Sequence, residues 1–298
     1  MSVVHDILDT ACRRAGIDHR GAHLIHHSSN AVVVLPAHPA VARICLADPD
    51  PARTQLTHHL TDWLTGTREF GATAPLPGLD PIHVDGSSVG FWTLYPQPSG
   101  PPPTSAHLAR LLRHLHNTPA PAHLNLPHWT PLESLHAALT NTDTTAITDS
   151  ERTHLLDRIA DVRQAFAGLD WPLGQGLIHG DAWAGNLLWD TSADPPQPIL
   201  GDWDWAAIGP REIDLIPTWH AARRYGRDQH WINEFIAHYG FDLTTAPHFP
   251  LLLEMRDLVQ ISGPLRRAND SPDHAARLRQ RVDDIIAHRT STSWAQYR

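Results

Sequence analysis

Acidic and amide side chains follow two apolar runs in the second half of the chain. Asp181 and Asn186 come after the run Leu177-Ile178, and Asp202 comes after the run Ile199-Leu200. Apolar runs of this length suit buried strands, and these two are close enough in sequence to be neighbours in a hairpin. We therefore expect the three polar side chains to lie at turns that face one centre.

The residue types at these turns suit the transfer of a phosphoryl group. Such a transfer needs an aligned acceptor hydroxyl and neutralisation of phosphate charge, but little covalent work from the protein. In this interpretation Asp181 faces the hydroxyl, while Asn186 and Asp202 offer oxygen ligands to magnesium. An Asp followed by an Asn at this spacing also occurs in the catalytic loop of kinases. Turn capping alone would explain one such residue better than three.

The first 95 residues show the pattern of an opening helix followed by a small antiparallel sheet with one helix. Five strand-like runs are present, at 23–27, 31–35, 40–46, 81–84 and 88–95. Short connections such as Asp85-Gly86 are typical of antiparallel hairpins. An opening helix is predicted at 3–15, and leucines at a four-residue step predict another over 53–64.

A proline-rich segment at 96–103 ends this pattern. Proline lacks a backbone N–H and cannot continue a strand or helix, so the segment is predicted to be a linker. Helical periodicity follows at 108–115, 155–166, 217–239, 250–268 and 272–289. We predict an α+β fold with one domain at 1–95 and a mainly helical one at 96–298.

Composition limits the class of protein. The 298 residues are 41% hydrophobic, which allows a large core, and the formal charge of -9 is spread along the chain. The charge distribution shows no cluster of basic residues that would bind nucleic acid or anionic lipid. No apolar run reaches the roughly 18 residues that span a bilayer, and no signal-peptide pattern opens the chain. We expect a cytoplasmic monomer or weak dimer.

Histidines and cysteines raise the alternative of a transition-metal site. The two cysteines, Cys12 and Cys45, are far apart and suggest neither a disulfide framework nor a cysteine zinc site. Among the 23 histidines, His114 and His116 are two residues apart on a predicted helix, and His58-His59 is an adjacent pair. None of these has the i, i+4 spacing of a zinc helix. A metal-dependent hydrolase would be recognised by bound zinc.

The segment His179-Gly-Asp-Ala-Trp-Ala-Gly-Asn186, followed by Gly201-Asp-Trp-Asp-Trp205, resembles the signature of the aminoglycoside phosphotransferase-like family of small-molecule kinases. The order of predicted elements from residue 20 onward is similar as well. The resemblance implies a bilobal, protein-kinase-like fold with a five-stranded N-terminal lobe and a mainly helical C-terminal lobe.

The resemblance also assigns roles in the second lobe. It implies that Asp181 is the catalytic carboxylate, that His179 supports its loop, and that Asn186 and Asp202 bind magnesium. Asp214 would tie the metal loop to the next helix. Asp204 receives no role and would face either solvent or substrate.

The first lobe departs from the family's pattern. Arg43 stands where these kinases usually have a strand lysine that holds nucleotide phosphates, and arginine can also bind phosphate. The following helix carries no glutamate over residues 53–64. The orienting partner of Arg43 is therefore expected to be Gln55 or Asp62, or to be absent.

Two further segments are expected to bind the nucleotide. The turn Ser28-Ser29-Asn30 would cover the phosphates with hydroxyl and backbone N–H groups. The backbone near Leu94 and Tyr95 would meet the purine, while Pro96 removes one donor there.

We expect an ATP- or GTP-dependent kinase that phosphorylates a hydroxyl of a small molecule in the presence of Mg²⁺. An antibiotic is the first expectation for the substrate, with a role in resistance or self-protection, and a metabolite is the alternative. A catalytically silent pseudokinase that binds a nucleotide or small molecule is a third possibility, suggested by Arg43 and the missing glutamate. Five acids on the C-terminal helices would favour a cationic substrate: Glu254, Asp257, Asp273, Asp283 and Asp284. Arginines are interleaved with these acids, so a helical surface exposed to solvent is the favoured interpretation.

Overall fold

The computed structural model of the protein describes residues 2–27, 30–46 and 50–295. The chain divides into two compact units, each made of three segments. The first unit contains Met1–Pro103, Asn117–Leu126 and Ala184–Ala206, and the second contains Thr104–His116, Pro127–Trp183 and Ala207–Arg298. The predicted domains at 1–95 and 96–298 stay a prediction.

A five-stranded antiparallel sheet with two helices forms most of the first unit. Its elements are α1 (Ser2–Ala15), β1 (His23–His27), β2 (Asn30–Leu35), β3 (Ala40–Cys45), α2 (Pro51–Arg68), β4 (Ile82–Val84) and β5 (Ser87–Thr93). The strand order is β1-β2-β3-β5-β4, and every neighbouring pair is antiparallel. The predicted five-stranded sheet is confirmed.

Alternation along β2 and β3 decides which side chains reach the core of this sheet. Val33, Leu35 and Ile44 are buried with α1 in one hydrophobic cluster. Successive side chains of a strand point to opposite faces, so Arg43 lies on the face opposite that of Ile44. Each fully buried aliphatic side chain contributes roughly 1.5–3 kcal/mol, so this pattern fixes the register that presents Arg43.

Helix α2 begins at a proline after an acidic cap. Asp50 accepts a hydrogen bond from the backbone N of Arg53 at 3.3 Å, and Pro51 occupies the first turn, where a missing N–H costs nothing. The helix ends at Glu69, which adopts a left-handed conformation with φ of 50°. Its start places Arg53 in the first turn.

The first unit also contains a hairpin from later in the chain. It consists of β7 (Leu187–Asp190) and β8 (Gln197–Leu200), with Leu187 opposite Leu200. Gln97, from the predicted linker, extends this hairpin, because its side chain donates to the carbonyl of Trp189 at 3.1 Å and accepts from its N–H at 2.9 Å.

The two apolar runs that precede the acidic turns are not partners of one another, so that prediction was wrong. The first run forms β6 (Gln175–Ile178), which pairs with β9 (Ala207–Pro210), and the second forms β8, which pairs with β7. Adjacency in sequence favours hairpins, but each run pairs with a strand of its own unit, and for β6 this strand lies farther along the chain than β8. Two short hairpin-like ladders therefore replace the single one expected.

Helices make up most of the second unit. They are α3 (Ser105–Asn117), α4 (Glu133–Asn141), α5 (Asp149–Ala167), α6 (Glu212–Tyr225), α7 (Gln229–Tyr239), α8 (Phe249–Val259), α9 (Ser262–Arg266) and α10 (Pro272–Ile286). Helix α5 starts at a capping box in which Thr148 and Glu151 bond each other's backbone N–H. In the described ranges of the chain, no helix is long and apolar enough to cross a membrane.

Two of the predicted helical stretches are each divided into two helices. The stretch at 217–239 breaks at Gly226, whose φ of 69° is a left-handed conformation that glycine adopts without strain. The stretch at 250–268 breaks before Pro264, since proline has no N–H and its ring collides with the carbonyl four residues earlier. Hydrophobic periodicity continued through both breaks and concealed them.

A buried charged cluster joins α6 to α8, and we call it the Asp257 cluster: Asp257, Arg223, Arg224 and His220. Arg224 bonds both carboxylate oxygens of Asp257 at 2.8 and 2.7 Å, and the His220 ring is 3.0 Å away. Burial lowers the pKa of His220 to about 4, so this imidazole is neutral at pH 7. Burial also raises the pKa of Asp257, but its bonds to Arg224 and His220 outweigh that effect and leave the pKa lowered.

Candidate active site

The loop that carries Asp181 follows β6 in the second unit. His179 is fully buried, and its Nδ1 accepts a hydrogen bond from the backbone N of Asp181 at 3.3 Å. Gly180 has a φ of 84°, which favours glycine and turns the chain sharply before Asp181. The buried His179 ring thus bonds the backbone of the proposed catalytic residue, and its role in supporting the loop stays a prediction.

Asp214, in the first turn of α6, holds this loop in place. Its buried carboxylate accepts from the backbone N of His179 at 2.7 Å and from the backbone N of Gly180 at 2.8 Å. A carboxylate in the first turn of a helix is also stabilised by the helix dipole. The loop that Asp214 ties to α6 is thus the one preceding Asp181, whereas the sequence suggested the loop of Asp202.

His116, at the end of α3, completes this support. Its Nε2 lies 3.0 Å from the Asp214 carboxylate and its Nδ1 lies 2.8 Å from the Tyr239 hydroxyl. Burial, followed by the charge of Asp214, raises the pKa of Tyr239, so the phenol stays protonated. A chain of buried hydrogen bonds therefore runs from α7 through α3 and α6 to the Asp181 loop.

Arg256 on α8 pairs with Asp181. Its Nη2 donates to Oδ1 of Asp181 at 2.7 Å, and the side chains are 9% and 29% exposed, respectively. The Nε of Arg256 is buried and makes no hydrogen bond to any residue that the structure describes. A charge-assisted bond of this length fixes the orientation of the carboxylate more strongly than a neutral one would.

Asn186 and Asp202 lie together at one end of the β7–β8 hairpin, in the first unit. The backbone N of Gly201 donates to the carbonyl of Asn186 at 2.8 Å, which continues the ladder by one residue and brings the backbones of Asn186 and Asp202 close together. Asp202 has a φ of 64°, a conformation that costs a non-glycine residue of order 1–3 kcal/mol and is concentrated at functional sites. Amide and carboxylate oxygens are ligands that magnesium prefers, so the donor set fits this ion.

Arg43 reaches the same end of that hairpin from β3. Its guanidinium bonds both carboxylate oxygens of Asp204, and its Nη2 lies 3.3 Å from Oδ1 of Asp202. Burial lowers the pKa of Arg43, but the two carboxylates outweigh burial and raise it, so the arginine is permanently charged. Asp204 therefore faces Arg43, a third possibility beside the solvent-facing and substrate-facing positions considered from sequence.

The remaining nucleotide-binding predictions concern two segments of the first unit. Ser28 and Ser29 lie outside the described residues, and Asn30 is the first residue of β2, opposite Cys45. The N–H of Leu94 donates to the carbonyl of Pro39 at 3.2 Å, and the carbonyl of Tyr95 accepts from Gln97 at 2.8 Å. Purine contacts by this backbone stay a prediction.

The structure thus brings together Arg43, Asn186 and Asp202 in the first unit, and His179 and Asp181 in the second. Their arrangement around a single centre stays a prediction. Sequence reasoning missed the contribution of Arg256, since 75 positions separate it from Asp181. Among the described residues, no group of three or more His, Cys, Asp and Glu side chains could hold a metal ion.

Replacing Asp214 by asparagine is expected to loosen the Asp181 loop. The amide keeps one acceptor oxygen but turns a donor toward a backbone N–H, so one buried donor loses its partner at a cost of roughly 1–3 kcal/mol. We expect both the unfolding free energy and kcat to fall, as measured by urea denaturation and steady-state kinetics. The exposed Asp157→Asn is the matched control, and unchanged stability and kcat in Asp214→Asn would refute this role.

Most of the chain matches a known protein family. Residues 26–249 match the model of the phosphotransferase enzyme family. This stretch includes Arg43, Asp181, Asn186, Asp202 and Asp204. A comparison of the sequence with curated proteins gave no match.

Several solved structures are similar to the chain. The amicoumacin kinase hAmiN, in complex with AMP-PNP, Ca²⁺ and Ami, is 14% identical with a TM-score of 0.66, covering 96% of this chain and 95% of that one. An aminopropanol kinase associated with a microcompartment is 20% identical with a TM-score of 0.64, covering 94% and 95%.

Aminoglycoside phosphotransferase APH(3'')-Id from Streptomyces rimosus, with ADP and streptomycin, is 16% identical with a TM-score of 0.60, covering 85% of this chain and 97% of that chain. At these identities the structures establish the fold, and the fold is that of small-molecule kinases, as the sequence predicted.

Proposed function

The chain belongs to the phosphotransferase enzyme family, and on this basis we propose that it transfers the γ-phosphoryl group of ATP or GTP to a hydroxyl of a small molecule. The observation that carries the proposal is the end of the β7–β8 hairpin, where Asp202 lies 3.3 Å from Arg43 and Asn186 is bonded to the residue before Asp202. Two oxygen ligands and a fixed cation at one place suit a metal–phosphate group.

Asp181 is the proposed catalytic carboxylate. Its loop is held by two backbone hydrogen bonds to Asp214, and its orientation is fixed by Arg256. A carboxylate held in this way can accept a hydrogen bond from the acceptor hydroxyl and receive its proton during transfer. Asp181 would contribute to catalysis mainly by aligning the acceptor hydroxyl with the γ-phosphorus. A hydroxyl that is already oriented avoids most of the entropic cost of reaching the reactive geometry.

Asn186 and Asp202 are the residues that would hold magnesium, and Arg43 the residue that would hold nucleotide phosphates. When bound, the ion neutralises phosphate charge and leaves coordination positions for phosphate oxygens. Arg43 can form two parallel bonds to a phosphate group, which lysine cannot. The permanent charge of arginine makes this contact independent of pH.

The acceptor is proposed to be an antibiotic, with a metabolite as the second candidate. Kinases for an antibiotic and for a metabolite both share this fold. Four of the five acids of the C-terminal helices are paired with arginine: Glu254 with Arg158, Asp257 with Arg224, Asp283 with Arg279, and Asp284 with Arg289. These pairs remove most of the negative charge that would attract a polycation, and therefore favour an acceptor of low net charge.

A thermal-shift titration tests nucleotide binding. We expect ATP or GTP with Mg²⁺ to raise the melting temperature, because a ligand at 100 times its Kd adds about 2.7 kcal/mol to the unfolding free energy. The shift should depend on Mg²⁺ and be smaller in Asp202→Asn. An absence of any shift with either nucleotide would contradict the proposed function.

An assay of nucleotide consumption separates a kinase from a silent pseudokinase. A pseudokinase predicts a shift with nucleotide but no consumption of nucleotide with any acceptor. We expect consumption, since the backbone of the Asp181 loop is held by hydrogen bonds to Asp214 and to the His179 ring. Release of ADP or GDP on addition of hydroxylated antibiotics and metabolites is the measurement.

A further inference from the structure

Arg43 contacts two carboxylates in different ways. Both of its terminal nitrogens bond Asp204, which makes a bidentate pair, whereas Asp202 receives one bond at 3.3 Å. The Arg43 side chain is 24% exposed, and that of Asp202 is 50% exposed. A bidentate pair fixes the plane of the guanidinium, while a single long bond is easily exchanged for another partner.

Asp204 is itself held rigidly. It lies in a short 3₁₀ turn, Trp203–Trp205, whose first residue is buried and donates from Nε1 to the carbonyl of Leu200 at 2.8 Å. The ring of Phe70 packs edge-on against Trp203 at 5.7 Å. The turn therefore cannot shift without disrupting buried aromatic packing.

Arg53 secures the same turn from the start of α2. Its Nε donates to the backbone carbonyl of Asp204 at 2.9 Å, and its guanidinium lies over the ring of Trp205 at 4.9 Å. Helix α2 thus contributes an arginine here, and its one acid, Asp62, is exposed. The carboxylate that pairs with Arg43 comes from the turn after β8.

We propose that Asp204 is the positioning residue that aims Arg43 at the phosphates of the nucleotide, in place of a carboxylate on α2. This inference rests on the proposed function. The bidentate pair to Asp204 persists when nucleotide binds, whereas the bond from Arg43 to Asp202 is exchanged for a bond to a phosphate oxygen. Asp204 therefore positions the guanidinium of Arg43, while Asp202, two residues earlier, would bind magnesium.

Asp204→Asn tests this role by kinetics with the full-length protein. Loss of a charge-assisted pair corresponds to about a 10- to 100-fold change, and we expect the nucleotide KM to rise by that factor while the acceptor KM is unchanged. Asp204→Glu, which retains the carboxylate, should recover part of the loss. Asp80→Asn is the control, since Asp80 is an exposed acid of the first unit paired with His59.

A double-mutant cycle distinguishes positioning from a general structural effect. If Asp204 acts through Arg43, then Asp204→Asn should have little further effect on the nucleotide KM in an Arg43→Met background. Equal effects in both backgrounds, or an Asp204→Asn enzyme with a wild-type nucleotide KM, would overturn the role of Asp204 and leave the proposed function standing. A wild-type protein without nucleotide-dependent turnover would overturn the proposed function, and this inference with it.

Discussion

Asp181→Asn is expected to lower kcat by about 10²- to 10⁴-fold, the usual contribution of a positioned general base. Asparagine has nearly the same shape, and its carbonyl oxygen can still accept the bond that Arg256 now donates at 2.7 Å. The backbone bonds of His179 and Gly180 to Asp214 do not involve the substituted side chain. Melting temperature and nucleotide-induced shift should therefore stay close to those of the wild type.

Steady-state kinetics with the best acceptor provides the measurement, and Asp273→Asn serves as the control. Asp273 is an exposed acid of α10, so its substitution should leave kcat within about 2-fold of the wild type, as expected for an isolated surface change. If Asp181→Asn turned over at a similar rate, another residue would have to accept the proton, and the assignment of Asp181 would be wrong.

Asp257→Ala is expected to lower the unfolding free energy by roughly 3–5 kcal/mol. The substitution leaves the side chain of Arg224, which is 1% exposed, without the carboxylate that binds two of its nitrogens. The neutral ring of His220 loses its partner as well. A buried charge without a partner costs more than the pair itself contributes, so the effect is large.

Urea denaturation at pH 7 measures this loss, with Asp283→Ala as the matched control. Asp283 also pairs with an arginine, Arg279, at 2.8 Å, but its side chain is 49% exposed, and exposed pairs contribute about 0–1 kcal/mol. Equal destabilisation by the two substitutions would show that burial does not set the value of the Asp257 pair. Because Arg256 precedes Asp257 on α8, kcat at low temperature should also fall in Asp257→Ala.

The sheet of the first unit was predictable because its signals are local. Strands of period two, tight turns such as Asp85-Gly86 and a proline-started helix each depend on residues within a few positions of one another. The loop of His179 and Asp181 was predictable for the same reason, since its residue types and spacing occur in one short segment.

Long-range partners were not predictable from the sequence. Nothing near Arg43 indicates that its carboxylate comes from Asp204, 161 positions later, and the candidates expected from sequence, Gln55 and Asp62, both lie on α2. The pairing of β6 with β9, across 28 intervening residues, was hidden for the same reason. Hydrophobic patterning specifies that a run is buried, but not which other run it pairs with.

His116 illustrates a signal that was present but ambiguous. A histidine on the apolar face of α3 could be a metal ligand, a core residue or a hydrogen-bond partner, and sequence spacing excluded only the zinc helix. The structure shows it between Asp214 and Tyr239, in the network that holds the Asp181 loop. Buried polar residues need partners, so a lone buried histidine indicates a network even when its members are unknown.

Mass spectrometry of acceptors incubated with the protein, ATP or GTP, and Mg²⁺ is the most direct test of phosphoryl transfer to a small-molecule hydroxyl. We expect at least one hydroxylated small molecule to gain the mass of one phosphoryl group, with release of one nucleoside diphosphate per product. The same acceptor should gain no mass when Asp181→Asn replaces the wild type over the same time. Nucleotide that is consumed without a phosphorylated acceptor, or a product formed equally well by Asp181→Asn, would contradict the proposed transfer.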